Sequence, residues 1–548
     1  MSKTDSQFRF HKNDSIGAPA AEDDGEYLES CFVQTGDLQL LADTSDRRII
    51  LLGRTGTGKT ALLRRLETHE SARVIQVCPD SLALTYLANS TVLKFLTELG
   101  INLDPFYKLL WRHVFTVEVL RRFFEHKPQT CSVSLFERLR ALLVGTSRED
   151  KVLQKAVDYL EEWGSSFWSE TEYRVKEITQ KVEKDLNDTV GAALTLGGAS
   201  FNAGQVKATS LSEEQKSEVV HRAQEVVSHA QVRDLREVSA LLERVMQDRQ
   251  RNYIIVIDRL DENWVEDRLR YKLIMGLILT AREFISIPSV KIVIALRRDL
   301  IDRVFRLSRD SGFQEEKYRG LYLPLAWTRS QILEILDRRV THMVSRRYTR
   351  QPVCYKDLLP RQFQGQPIDE FIFSVADRPR DVIAFFNICI HAAVDKAKLT
   401  APQLSKAMGE YSQSRLRALA DEWYSDYPLL LDFAAVLRGR PRSFSIADIG
   451  RREIEELCLE TLVQNPEARG FLAEQAVGVM DNIIRAEEFG IAMFNVFYRT
   501  GLVGLKVSPE SAGSWVDDTG QAVTRGQITE STTVSVAPKY ARAVGSRS

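Results

Sequence analysis

The 548 residues carry 74 Lys and Arg against 75 Asp and Glu, so no global basicity points to nucleic acid or a membrane surface. That length exceeds what one core can organise and implies about three or four domains, and 44% apolar with 27% charged residues is ordinary for a globular chain. The six cysteines (Cys31, Cys78, Cys131, Cys354, Cys389 and Cys458) are scattered without a CxxC pair, which argues against a disulfide frame or zinc site and for thiols in a reducing cytosol.

Residues 1–25 are polar, hold most of an AEDDGE run, and read as a mobile tail rather than a secretory signal. No apolar run approaches the roughly 20 residues needed to span a bilayer, so a cytoplasmic chain without membrane contact is expected. Residues 26–130 are read as the first part of a nucleotide-binding core. Its centre is a short buried strand, Ile49–Leu52, followed by Gly53, Arg54, Thr55, Gly56, Thr57, Gly58, Lys59 and Thr60, with a helix from Ala61. This is GxxxxGK[ST] in its strand–loop–helix setting. Glycines let the backbone curl so that successive N–H groups and the helix N-terminus face a phosphate. Lys59 is placed to reach the β- and γ-phosphates, and the Thr60 hydroxyl to ligate Mg²⁺. The residues from Gly53 to Ala61 therefore predict a nucleoside triphosphate site.

Arg73–Cys78 reads as a second strand, and helical periodicity follows from about Val92 to Lys127, with Trp111 and His113 expected in the core. Residues 131–250 are read as a helical insertion, interrupted by a glycine-rich excursion at 191–204, with Ser212 and Gln215 forming a capping box.

The second part of the core spans 251–345. The run from Tyr253 to Ile257 ends on Asp258, a parallel strand that delivers a carboxylate to its C-terminal edge, where Mg²⁺ sits beside a phosphate loop, and Asp258 is expected to serve the metal through water. Arg259 occupies the position of a commonly adjacent glutamate. Asp261 and Glu262 are then the candidates to orient the attacking water, or else caps of the helix beginning near Glu266. Val290–Leu296 is another buried strand, and Arg298 just beyond it could neutralise charge on the transferred phosphoryl group or form a surface salt bridge. From Arg297 to Arg350 there are 13 Lys/Arg against 7 Asp/Glu, although the pairs Arg338–Arg339 and Arg346–Arg347 read as a solvated helix face.

Residues 346–400 are read as a helical lid containing Asp377-Arg-Pro-Arg-Asp-Val-Ile-Ala-Phe-Phe-Asn387. Pro379 suits a helix start, which places Arg380 on the first turn as a candidate γ-phosphate sensor or a structural residue. Residues 401–548 read as helical to about Phe497 and then as a two-stranded wing, the outline of a winged-helix-like domain.

With these motifs in view the chain resembles bacterial P-loop ATPases of the STAND and KAP-like groups within the AAA+ assemblage. The resemblance rests on GRTGTGKT at 53–60, IIVIDRLDE at 254–262, IVIALRR at 292–298 and DRPRDVIAFFN at 377–387. Asp258, Asp261 and Glu262 come close to the acidic signature of NACHT-type members. It implies an α/β fold with a P-loop parallel-sheet core, helical insertion, lid and winged helix. It further implies ATP and Mg²⁺ as cofactors, a homo-oligomer, a separate protein effector, and a setting such as phage defence. Sensor repeats, an effector domain and membrane helices, frequent in those groups, are not visible.

Three functions compete. The leading one is a slow ATPase that switches state and signals to a protein partner. A DNA-associated motor or loader is the second, disfavoured because the C-terminal region is not notably basic. The third is a nucleotide-gated scaffold with little hydrolysis, kept open by Arg259.

Overall fold

The computed structural model describes residues 8–79, 91–125, 252–262, 267–307, 314–347, 353–516 and 523–547, with isolated positions between 126 and 251. Apart from those positions, the insertion expected at 131–250, with its 191–204 excursion and Ser212 capping box, lies outside the described residues. Two compact units divide the chain, Gln34–Ala326 and Met1–Val33 with Trp327–Ser548.

Among the described residues the first unit is built on five strands: β1 (Ile50–Leu52), β2 (Val74–Val77), β3 (Tyr253–Ile257), β4 (Val290–Leu296) and β5 (Tyr322–Pro324). Their order is β2-β3-β4-β1-β5 and every pairing is parallel. All residues of β1, β3 and β4 are buried, which explains their unbroken apolar runs, since a parallel sheet is covered on both faces. Because β4 separates β1 from β3, the residue that leaves β4 emerges between the phosphate loop and Asp258. Lys291 is the polar exception on β4, and its Nζ donates to the carbonyls of Leu40 at 2.6 Å and Asp43 at 2.8 Å.

Helix α1 (Lys59–His69) follows the loop and buries Leu62, Leu63 and Leu66. The helical periodicity over 92–127 corresponds to two helices, Thr91–Glu98 and α2 (Asp104–Glu125). Gly100 turns the chain between them at φ +75°, and Asn102 Oδ1 accepts the Asp104 N–H at 2.9 Å. Helix α2 packs on α3 (Asp267–Phe284): Trp111, fully buried, donates its indole N–H to the Leu273 carbonyl at 2.8 Å. A Cβ on Gly276 would stand 2.9 Å from the Tyr107 Cβ, so the bare glycine lets these helices approach. Helix α4 (Arg298–Leu307) leaves the end of β4.

The second unit gathers α5 (Arg329–Arg347), a small hairpin of β6 (Gln362–Phe363) and β7 (Gln366–Pro367), α6 (Ile368–Val375), α7 (Pro379–Ala392) and α8 (Ala401–Trp423). Its core includes Phe10 and Ile16, so the expected mobile tail is corrected from Phe10 onward. Phe10 exchanges backbone hydrogen bonds with Lys396 at 2.9 Å and Asp395 at 2.8 Å. Polar composition hid this docking, because two buried apolar residues and one ion pair suffice to seat the segment. That ion pair joins Asp24 to Arg339, with side chains 2% and 5% exposed. Arg339 is therefore not on a solvated face, whereas Arg338 and Arg346 reach Glu334 and Glu26 at the surface.

Further along, α9 (Arg451–Gln464), α10 (Phe471–Met480) and α11 (Ala486–Thr500) accompany an antiparallel sheet of β8 (Ser443–Ser445), β9 (Val503–Lys506) and β10 (Thr533–Val536), ordered β8-β10-β9. The sheet has three strands where two were expected, since β8 is only three residues long and lies in a stretch read as helical. A last short helix, α12 (Pro538–Ala541), closes the chain.

Candidate nucleotide site

The loop between β1 and α1 is shaped by three glycines with different tasks. Gly56 and Gly58 adopt φ of +82° and +94°, a region that side chains with a Cβ avoid. Gly53 has ordinary backbone, but a Cβ there would meet Thr57 Oγ1 at 2.3 Å. Thr57 is buried and donates its hydroxyl to the Arg54 carbonyl at 2.9 Å, closing the loop from within. The Gly53 N–H bonds the Leu296 carbonyl at 3.2 Å and anchors the loop to the end of β4. Arg54 and Thr55 form its half-buried outer rim, and Ala61 is the third residue of α1.

Lys59 Nζ donates to the carbonyls of Gly53 at 3.0 Å and Arg54 at 3.1 Å, so its ammonium is held over the loop. Burial pulls its pKa below the usual lysine value, and the carboxylates of Asp261 and Asp258 oppose that pull. Thr60 Oγ1 donates to Asp258 Oδ2 at 2.7 Å, and Asp258 Oδ1 accepts the Arg259 N–H at 2.9 Å. Two motifs 198 residues apart in sequence thus meet through one hydrogen bond.

Arg259 sits at φ +61°, a conformation non-glycine residues rarely adopt and one that costs on the order of 1 kcal/mol or more. Beyond this residue the two remaining acids take different partners. Asp261 comes within 3.5 Å of Arg297 Nη1 and is near enough to Lys59 to act on its charge. Glu262 is exposed and faces Arg259 at 3.7 Å. Beyond β4 it is Arg297, not the nominated Arg298, that is brought in: it bridges Asp299 at 2.9 Å and Asp261. Arg298 is exposed on the first turn of α4. Both arginines follow the strand in sequence and Arg298 was the one chosen; a strand ending at Leu296 puts the next residue at the sheet edge, which is the signal that favours Arg297. A cleft of about 150 Å³ opens beside Thr60 and Asp258, lined also by Arg64, Gln76, Cys78 and Arg259.

In the second unit Arg380 lies on the first turn of α7 and makes no ion pair among the described residues. Its neighbours are committed: Arg378 bonds Asp381 at 2.9 Å, Arg415 bonds Asp381 at 3.1 Å, and Lys539 bonds Asp377 at 2.9 Å. Burial would raise the Asp377 carboxyl, but Lys539 and Arg378 outweigh it and hold the group well below the usual carboxylate range.

Mg²⁺ suits the donors present. Among the described residues no group of three or more His, Cys, Asp or Glu could hold a metal alone. Mg²⁺ characteristically takes only one or two protein oxygens and fills the rest of its octahedron with phosphate and water. Thr60 and Asp258 are such a pair. No described helix is long and apolar enough to cross a membrane.

A parallel five-stranded sheet, a glycine loop opening onto α1, and a carboxylate from a neighbouring strand bonded to the loop threonine together define the core of a P-loop NTPase. Residues 330–420 match the FunZ-associated C-terminal helical domain. Across 519 residues the chain is 22% identical to the transposon gamma-delta 80.3 kDa protein of Escherichia coli (strain K12), an alignment covering 92% of this chain and 64% of that protein. The chain thus spans less than two thirds of that relative's length. Among solved structures it is similar to the Walker-type ATPase paby2304 of Pyrococcus abyssi, at 12% identity and a TM-score of 0.36, covering 94% of this chain and 96% of that one.

Proposed function

We propose that this chain binds ATP with Mg²⁺ at residues 53–61 and hydrolyses it slowly, its nucleotide state acting as a switch read by a protein partner. The observation that supports the reading most is the Thr60–Asp258 hydrogen bond, with the half-buried Lys59 ammonium close enough for the Asp258 charge to act on it. Lys59 and the loop N–H groups bind the phosphates, and Thr60 directly and Asp258 through water would hold the metal, which when bound would neutralise developing phosphate charge. Of the two acids, Asp261 orients water, since it faces Lys59 whereas Glu262 turns to Arg259. Arg297 takes the charge-neutralising role first given to Arg298. The three-stranded sheet with α9, α10 and α11 is read as a winged-helix-like module for protein contacts, and self-association and the phage-defence setting belong to the same reading.

A second reading, a DNA-associated ATPase, draws on the word transposon in the relative's name. The local Lys/Arg excess supports it less than its count suggests, because Arg339 is consumed by Asp24 inside the core. Steady-state phosphate release, wild type beside Lys59→Ala, with and without duplex DNA, separates the two. Slow, DNA-indifferent release that needs Lys59 upholds the switch. Strong DNA stimulation replaces it with the second reading, and release unaffected by Lys59→Ala removes both.

A further inference from the structure

The second unit holds a cavity of about 240 Å³ remote in sequence from the phosphate loop. The β6–β7 hairpin and α6 form one side, and residues of α8, β8's approach and α12 the other. Its polar lining includes Gln364, Gln366, Arg442 and Arg542, its apolar lining Phe371 and Met408, and no carboxylate reaches it. The charge is therefore positive on a partly apolar floor.

The two arginines differ in a telling way. Arg542 is fixed, donating to the Ser405 carbonyl and, at 2.8 Å, to the Ser405 hydroxyl. Arg442 is half-buried and makes no ion pair or side-chain hydrogen bond among the described residues. A half-buried guanidinium with no protein partner, in a cleft that also holds a second arginine, offers an entering anion charge-assisted hydrogen bonds from two sides. The rim carries strain as well. Gln364 and Gly365 have φ of +51° and +74°, the two-residue hairpin turn that ordinarily recruits Asn or Gly at its first position. Gln364 holds the left-handed conformation there and is one of the residues that line the cavity.

We propose that this cavity binds a small organic anion, its phosphate or carboxylate held by Arg442 and Arg542 and its apolar part laid on Phe371 and Met408. The volume suits a ligand of single-ring size. An anion seated there joins the hairpin and α6 to α12, whose Lys539 already pairs with Asp377, three residues before Arg380.

Phenyl phosphate, a dianion on an apolar ring, is the probe, titrated calorimetrically into full-length Lys59→Ala protein so that binding at the phosphate loop is suppressed. Benzoate in a parallel arm distinguishes a phosphate from a carboxylate preference. Saturable heat is expected with one or both, weakened about tenfold or more by Arg442→Gln, the range for losing a charged hydrogen-bond partner. Because Arg442 has no ion pair to lose, the ligand-free variant should unfold at the wild-type temperature. Gln364→Gly gives an independent reading: relief of the positive φ should raise ligand-free stability while weakening the probe. Binding by neither anion, or binding unchanged within about twofold in both variants, overturns the proposal.

Discussion

Replacing Asp24 by Ala tests whether the N-terminal segment is a structural part of the second unit. Asp24 is 2% and Arg339 5% exposed, and the carboxylate also accepts the Ala18 N–H at 2.8 Å. Arg339 bonds the Ile16 carbonyl at 2.9 Å, so the pair fastens residues 16–24 to α5. Truncating the acid leaves a buried guanidinium without its counter-charge, a loss of about 3–5 kcal/mol. For a unit of this size each kcal/mol shifts the midpoint by about 2–4 °C, so the calorimetric transition of this unit should fall by about 6–20 °C. Asp24→Leu with Arg339→Met removes both charges together and should cost clearly less than either single truncation, because no orphaned ion remains. An Asp24→Ala midpoint within about 1 °C of wild type, or a double variant as unstable as the sum of the singles, would refute the docked segment.

Four further outcomes are expected. Asp261→Asn should lower the rate of phosphate release about 100-fold or more while Glu262→Gln stays within about twofold; the reverse pattern removes Asp261 from the water-orienting role. Gly53→Ala should weaken MgATP binding about tenfold or more in calorimetric titration through its collision with Thr57, and Thr57→Ala in the same chain should recover much of it, since the next atom is 3.2 Å away. Arg297→Ala should slow release more than Arg298→Ala does; equal effects would deny Arg297 its place beside Asp261. Burial lowers the Lys291 pKa from 10.5 to about 8, so between those values the unfolded chain holds more protons than the folded one. Stability should accordingly rise with pH through that window, by at most about 1.4 kcal/mol per unit, and lose this rise as pH falls through 8. Urea unfolding of wild type and Lys291→Met should show the slope in the first alone; the same slope in both would mean another group causes it.

The glycine loop was legible in sequence because its geometry is local. Gly53 to Thr60 form one unbroken turn whose glycines, lysine and threonine have fixed tasks, and the apolar runs of β3 and β4 announce strands buried on both faces. The carboxylate of Asp258 was legible for the same reason, as the residue that ends such a run. Pairings that depend on how the chain folds back were not. Asp261 and Glu262 are adjacent acids with equal claims in sequence, and only the structure shows Asp261 facing Arg297 and Glu262 facing Arg259, the residue in the left-handed turn. Arg339 looked like a surface residue within an arginine pair until Asp24, 315 residues away, met it inside the core. The anion cavity is the extreme case, because residues from 364 to 546 line it and no motif spans them. Sequence determined what each short segment can do by itself, whereas tertiary structure chose which distant side chains share a low-dielectric space, and so which charges are partnered and which are left to bind.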